Sequence, residues 1–396
     1  MLLRSIGMAI GIASFSFALT TSHGLAQTVH VGVTLPLSGP QAANGEGLDR
    51  GMRLYEKIHS ESLPEGLEIE IVRRDDGGNS DNTRRIVQEM IIRDRIQLLT
   101  GVALSQQAFA IAPMVTEAKL PVVLVNSTTA SLTRSSPYFV RVSYTQWQMA
   151  ASIGTWAAEN GTRRIYSLVA DYSAGHDSEA AVKYAVEKSG GEIVGAVRVP
   201  LATTDYLPFM QQIKAAKPDG VFIFINAGRM GSLMKAYDEA GLKDAGVNLI
   251  LPGDNLQDDE LVKMPPTILG ANAAGVYTSN NSSPKNQEFV KAWKAEYGED
   301  SVPNTLAADG WDGMAAIYAL VKATNGKFDG DTAMSFLSNY KTADSPRGEI
   351  SIDPATRDIV PTIYITKVEL VDGKQTNVIQ QAIPGVKDPW KELNPQ

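Results

Sequence analysis

Short polar clusters stand where an α/β chain places its chemistry, each directly after an apolar, strand-like run. Ser105 opens the segment that follows the run 97–101, and Asn126-Ser127-Thr128-Thr129 follows the run 121–125. Asp171-Tyr172 follows 164–170, Asn226-Ala227-Gly228-Arg229 follows 220–225, and Gly253-Asp254-Asn255 follows 247–251. In open α/β sheets ligands bind beyond the carboxyl ends of the strands, where loops and helix N-termini converge. Ser105 and Thr128 suit a carboxylate there. A helix start offers unpaired N–H groups and partial positive charge, and hydroxyls add donors without a counter-charge. Ser and Thr are also the usual helix caps, and Asp254 is equally suited to a cap or a turn. Taken singly, each therefore has a structural reading beside the functional one.

Other chemistries lack their residues. Gly45-Glu-Gly47-Leu-Asp-Arg-Gly51 approaches a dinucleotide fingerprint, but its last spacing is one residue too long and it lies well past the strand end, so close helix packing is the expected role of Gly47 and Gly51. Asp75-Asp-Gly-Gly-Asn79-Ser-Asp81 has Ile86 where a calcium loop needs its bidentate glutamate, and reads as a capped strand-to-helix turn. His23, His30, His59 and His176 show no metal spacing. There is no Gly-x-Ser-x-Gly elbow, no Walker loop and no His-Glu-x-x-His helix. Neither a catalytic residue nor a cofactor or metal site is expected.

The elements that must position the polar clusters follow from periodicity. Strand-like runs at 29–35, 67–74, 97–101 and 121–125 alternate with amphipathic segments, and a second series covers 164–170, 192–199, 220–225, 247–251 and 275–278. That alternation predicts two doubly wound α/β units with parallel sheets. The last third breaks the pattern: helical stretches 284–297 and 305–324 come without a strand between them, followed by strand-like runs at 348–352, 362–370 and 376–381. A chain of 396 residues is expected to form two lobes. It has no cysteine, which excludes disulfides, thiolate catalysis and cysteine-held metals. Net charge is −8 with no basic cluster, so neither nucleic acid nor an anionic membrane is an expected partner. Residues 1–26 read as a cleaved export signal: Arg4, an apolar stretch from Ile6 to Leu19, then Gly24-Leu-Ala26. The apolar stretch is too short for a comfortable membrane anchor. The expectation is a soluble periplasmic product starting near Gln27.

Four stretches, Val31-Gly-Val-Thr-Leu-Pro-Leu-Ser-Gly-Pro40, Asp75-Asp76, Ala118-Lys-Leu-Pro-Val-Val-Leu-Val-Asn-Ser-Thr-Thr129 and Ala170-Asp-Tyr-Ser-Ala-Gly-His-Asp177, together resemble the type I periplasmic binding proteins of the leucine/isoleucine/valine branch. The resemblance runs over essentially the whole mature chain. It implies two Rossmann-like lobes joined by three hinge crossings near Ser143, Val276 and Gly348. Lobe I would comprise 27–143 plus 278–347, and lobe II 144–277 plus 348–396. It also implies a small carboxylate-bearing ligand trapped between the lobes and passed to an inner-membrane ABC permease. The family's carboxylate-binding serine maps onto Ser105, its threonine and backbone contacts onto Thr128 and Asn126 with Ser127 between them, and its ammonium-binding acid onto Asp254. Where amino-acid binders tend to set aromatic rings, this chain has Asn44, Ala174 and Asn226. A roomier, more polar pocket follows, open to aromatic carboxylates, amides or urea as well as amino acids. Tyr172, Trp147 and Arg229 are candidates for a stacking surface or a second anion contact.

Overall fold

The computed structural model describes residues 27–225 and 228–395. Residues 1–26, expected to be an export signal, and Asn226 lie outside the described residues. A five-stranded sheet is built from β1 (Gln27–Leu35), β2 (Leu67–Asp75), β3 (Leu98–Gly101), β4 (Val122–Leu124) and β5 (Phe139–Arg141), all parallel, in the order β2-β1-β3-β4-β5. A second sheet holds β6 (Arg164–Ala170), β7 (Glu192–Val199), β8 (Gly220–Phe224), β9 (Asn248–Pro252) and β10 (Asn272–Gly275). After the short strands β11 (Lys341–Thr342), β12 (Ile350–Asp353) and β13 (Asp358–Val360), the chain returns to that sheet with β14 (Ile363–Val371) and β15 (Lys374–Ile383). Its seven-stranded order is β15-β14-β10-β9-β8-β6-β7. The fold is thus α/β with two doubly wound, Rossmann-like lobes.

Central parallel strands are covered on both faces, which is why they read as near-continuous apolar runs. Val29, Val31, Val33 and Leu35 of β1 are all buried, packed beneath the helices Ala42–His59 and Thr305–Thr324. Those helices approach very closely: a Cβ added at Gly51 would lie 2.0 Å from the Ala307 carbonyl oxygen, and one at Gly47 2.9 Å from Leu306 Cβ. The glycines that resemble a nucleotide loop are contact surfaces between helices.

The chain passes between the sheets at 142–145, at 276–283 and at 361–362. The third passage lies later than the expected Gly348. Strand β12 pairs with β11 and β13 in a separate three-stranded sheet, and Ile350, Ile352 and Ile359 join the core beneath β1. The run 348–352 therefore belongs with the first lobe's core. Two further differences are local. Strand β5 is only three residues long and was not expected, and the run expected at 275–278 forms its strand at Asn272–Gly275, where small buried residues fit between β9 and β14.

After β15 the chain turns back toward the first lobe. The helix Pro389–Leu393 sits between the helix Gln146–Glu159 and the turn Ala130–Arg134. Its Lys391 is almost fully buried, with Nζ 3.1 Å from Asp358 Oδ2 of β13, and Gln148 donates 2.9 Å hydrogen bonds to the carbonyls of Ile359 and Val386.

Candidate ligand-binding site

The strand-end clusters converge on a cleft between the two sheets, of about 650 Å³ including its mouth. From the first lobe come Gln41, Asn44, Ser105, Asn126, Thr128 and Leu306; from the second come Gln146, Tyr172, Ala174, Phe224 and Asp254.

Ser105 is the first residue of the helix Ser105–Glu117, and Leu104 occupies the cap position. Ser105 is therefore not a cap. Its hydroxyl oxygen accepts the Thr129 amide at 3.2 Å and is almost fully buried, so its proton remains to be donated into the cleft. The helix opens onto the cleft through Ser105 and Gln106, bringing the positive end of its dipole to the same point. The Thr128 hydroxyl also lines the cleft and has no side-chain hydrogen bond among the described residues. Asn126 donates to the Ala103 carbonyl at 3.1 Å, which fixes its amide with the oxygen left as an acceptor. Asn44 is held by Gln41, its Nδ2 donating at 3.0 Å.

Opposite this donor cluster stands Asp254. The loop that carries it is set by backbone approach: a Cβ at Gly253 would lie 2.5 Å from the Gly275 Cα. Asp254 Oδ2 accepts from Gln146 Nε2 at 2.7 Å and from the Tyr144 hydroxyl at 3.2 Å, while Oδ1 is buried without a hydrogen-bond partner among the described residues. Burial pushes the Asp254 carboxyl up to about 6, opposed by the bonds from Gln146 and Tyr144 and by the nearby Asp254 and Asn255 amides. Burial, with the Asp254 charge added, also raises Tyr144 and Tyr172, so both phenols stay protonated hydrogen-bond donors. The Tyr172 ring stacks on Phe224 with centroids 5.9 Å apart and gives the second lobe's side an aromatic wall. No lysine or arginine lines the cleft among the described residues.

Three expected contacts are elsewhere. Ser127 is fully buried and points away from the cleft, its hydroxyl donating to the Val102 carbonyl. Ser127 and Thr128, adjacent in the loop after β4, thus have different places, one bonded into the core and the other lining the cleft. Trp147 lies in the second lobe's core, packed against Tyr184 at 6.0 Å, because the helix Gln146–Glu159 turns that face inward. Arg229 precedes the helix Met230–Glu239 and does not line the cleft. Tyr144 and Gln146 were missed. The Thr145-x-x-Gln148 spacing did carry a signal: it is a capping box, with Thr145 Oγ1 accepting from the Gln148 amide at 3.2 Å, and it marks a helix start at Gln146.

A cleft between two sheets, with helix N-terminal donors on one side and a buried acid on the other, defines a two-lobed ligand trap. Residues 28–375 match the family described as periplasmic binding protein, and the chain belongs to that family. It is 34% identical over 379 residues to a Leu/Ile/Val-binding protein homolog of Brucella abortus, covering 94% of this chain and 97% of the relative. A solute binding protein of an ABC transporter from Rhodopseudomonas palustris BisB5, in complex with 3,4-dihydroxybenzoic acid, is 41% identical with a TM-score of 0.88 over 92% of this chain and 99% of that one. Another from Rhodopseudomonas palustris HaA2, in complex with p-hydroxybenzoic acid, is 36% identical with a TM-score of 0.87 over 93% and 100%. The general role is that of a transport solute-binding protein, in keeping with the solute-binding relatives.

Proposed function

We propose that the protein captures a small aromatic carboxylate in the periplasm and presents it to an inner-membrane ABC permease. Ser105 and Thr128 take the carboxylate, the Tyr172 and Phe224 wall covers the ring, and Asp254 accepts a hydrogen bond from a polar group at the far end. The reading rests on one observation: a single cleft gathers neutral donors from the first lobe and, from the second, an aromatic surface and a buried acid with an unpartnered oxygen. Similarity to the two hydroxybenzoate-bound Rhodopseudomonas proteins supports it. Closing the lobes strips water from every polar group, so a ligand that leaves one of them unpaired loses affinity.

A branched-chain amino acid is the second reading, favoured by the Asp254 Oδ1 atom, which is equally able to take an ammonium. Calorimetry with 3,4-dihydroxybenzoate, 4-hydroxybenzoate, benzoate, leucine and valine separates the two. The aromatic reading expects a hydroxybenzoate Kd on the order of micromolar or tighter, about −8 kcal/mol. Leucine or valine binding more tightly than every aromatic acid replaces it with the second reading. Binding of none of the five below millimolar concentration overturns both.

A further inference from the structure

Behind the cleft lies a buried arginine that does not itself line it. Arg347 is 1% exposed, and its planar fork spends its donors on four partners. Nε bonds Asp312 Oδ2 at 2.6 Å, Nη1 bonds Asp309 Oδ1 at 2.8 Å and the Ser143 carbonyl at 3.1 Å, and Nη2 bonds the Val142 carbonyl at 2.7 Å. Asp309 and Asp312 project from the helix Thr305–Thr324 of the first lobe, and Val142 and Ser143 belong to the first passage between the lobes. The Arg347 carbonyl accepts the Tyr364 hydroxyl at 2.9 Å. Tyr364 pairs with Gly275, where the second passage begins, and stands just after the third. Arg347 thus bonds the first passage directly and touches the other two only through Tyr364.

A buried ion pair is a weak source of stability, because desolvation offsets most of its Coulomb attraction. What a guanidinium supplies here is geometry, since its fork satisfies two carboxylates and two carbonyls in directions that an ammonium cannot reproduce. The residue after Ser143 is Tyr144, whose hydroxyl reaches Asp254 at 3.2 Å, and two residues later Gln146 reaches the same oxygen at 2.7 Å. We propose that Arg347 is a positioning residue for the cleft: it fixes the Val142 and Ser143 carbonyls against the first lobe and so aims Tyr144 and Gln146 at Asp254. The inference rests on the cleft being the ligand site, but its test needs no ligand, so it can fail independently of the aromatic-carboxylate reading.

The test is a carboxyl ¹³C NMR titration of Asp254 in the unliganded full-length mature protein. It compares the natural chain with Arg347→Lys, Tyr144→Phe, the double variant and Tyr364→Phe. The titratable groups bearing on Asp254 are Tyr144 in the first passage, Tyr172 after β6 and Asp309 on the first lobe's helix. Both tyrosines stay neutral through the titration, and Asp309 is retained in every variant. Loss of one aimed donor raises the Asp254 midpoint by about half a pH unit or more, a roughly threefold change in proton affinity. Arg347→Lys and Tyr144→Phe each produce that rise, the double variant rises no further than the larger single change, and Tyr364→Phe gives a smaller rise in the same direction. Should Arg347→Lys fail to fold, Tyr364→Phe decides alone. A variant set that melts at lower temperature while the Asp254 midpoint stays within about 0.2 pH units overturns the proposal, as do additive rises in the double variant.

Discussion

Replacing Ser105 by alanine separates two roles that one hydroxyl plays. As a donor to a ligand carboxylate it makes a hydrogen bond to a charged group, and losing that bond costs about 1.5 to 3 kcal/mol, or roughly 10- to 150-fold in Kd. As an acceptor it satisfies the Thr129 amide at 3.2 Å. Leaving that buried amide unpaired costs about 1 to 3 kcal/mol. The second cost is present with and without ligand, so it cancels from the affinity and appears in the stability of the unliganded protein. Calorimetry with 4-hydroxybenzoate reads the first effect and urea unfolding without ligand reads the second. The expected outcome is a fall in both, of independent origin. If the unliganded Ser105→Ala protein is destabilised while Kd changes by less than about twofold, the hydroxyl serves Thr129 alone and the carboxylate clamp is refuted.

The Asp254 carboxyl titrates at about 6 in the folded chain against 3.8 as its ordinary value, so the ionised form costs stability. That cost is absent below about pH 4, grows as pH rises to about 6 and is constant above, reaching at most about 3 kcal/mol. Asp254→Asn should therefore gain stability, relative to the natural chain, between pH 4 and pH 7.5 in urea unfolding; an equal difference at both pH values would contradict the burial argument. Ser127→Ala should destabilise by about 1 to 2 kcal/mol, since it orphans the buried Val102 carbonyl, yet leave 4-hydroxybenzoate affinity unchanged in calorimetry. Gly51→Ala should lower the melting temperature sharply in calorimetric scans, because its Cβ would meet the Ala307 carbonyl at 2.0 Å; a variant as stable as the parent would mean that the two helices can part without cost.

Much of the cleft's lining was legible because parallel sheets gather their strand-end groups by rule. Ser105, Thr128 and Asp254 each follow a strand, and strand ends on one side of a sheet meet at one place. What failed was orientation within a segment. Ser127 and Thr128 are equivalent as residue types, and only the path of the loop turns one into the core and the other into the cleft. Trp147 follows Gln146 by one residue, yet a helix separates neighbours by about 100°, so one faces Asp254 and the other faces Tyr184. The third passage was misplaced because β12 pairs with β11 and β13, strands of two and three residues that are too short to carry a periodic signal of their own. Strand β5, three residues long, is too short for alternation to register.

The tail helix Pro389–Leu393 carries a practical consequence. It leaves the second lobe yet buries Lys391 against Asp358 beside the passages between the lobes. On the closure proposed above, a fluorophore or tag attached beyond Asn394 would ride near the axle and move least, and the rim, where Asn304 of the first lobe bonds Asp259 of the second at 3.0 Å, would move most. A dye pair placed on the exposed surface around those two residues would convert ligand capture into the larger optical signal, and the same reasoning advises against trimming the last ten residues to shorten the chain.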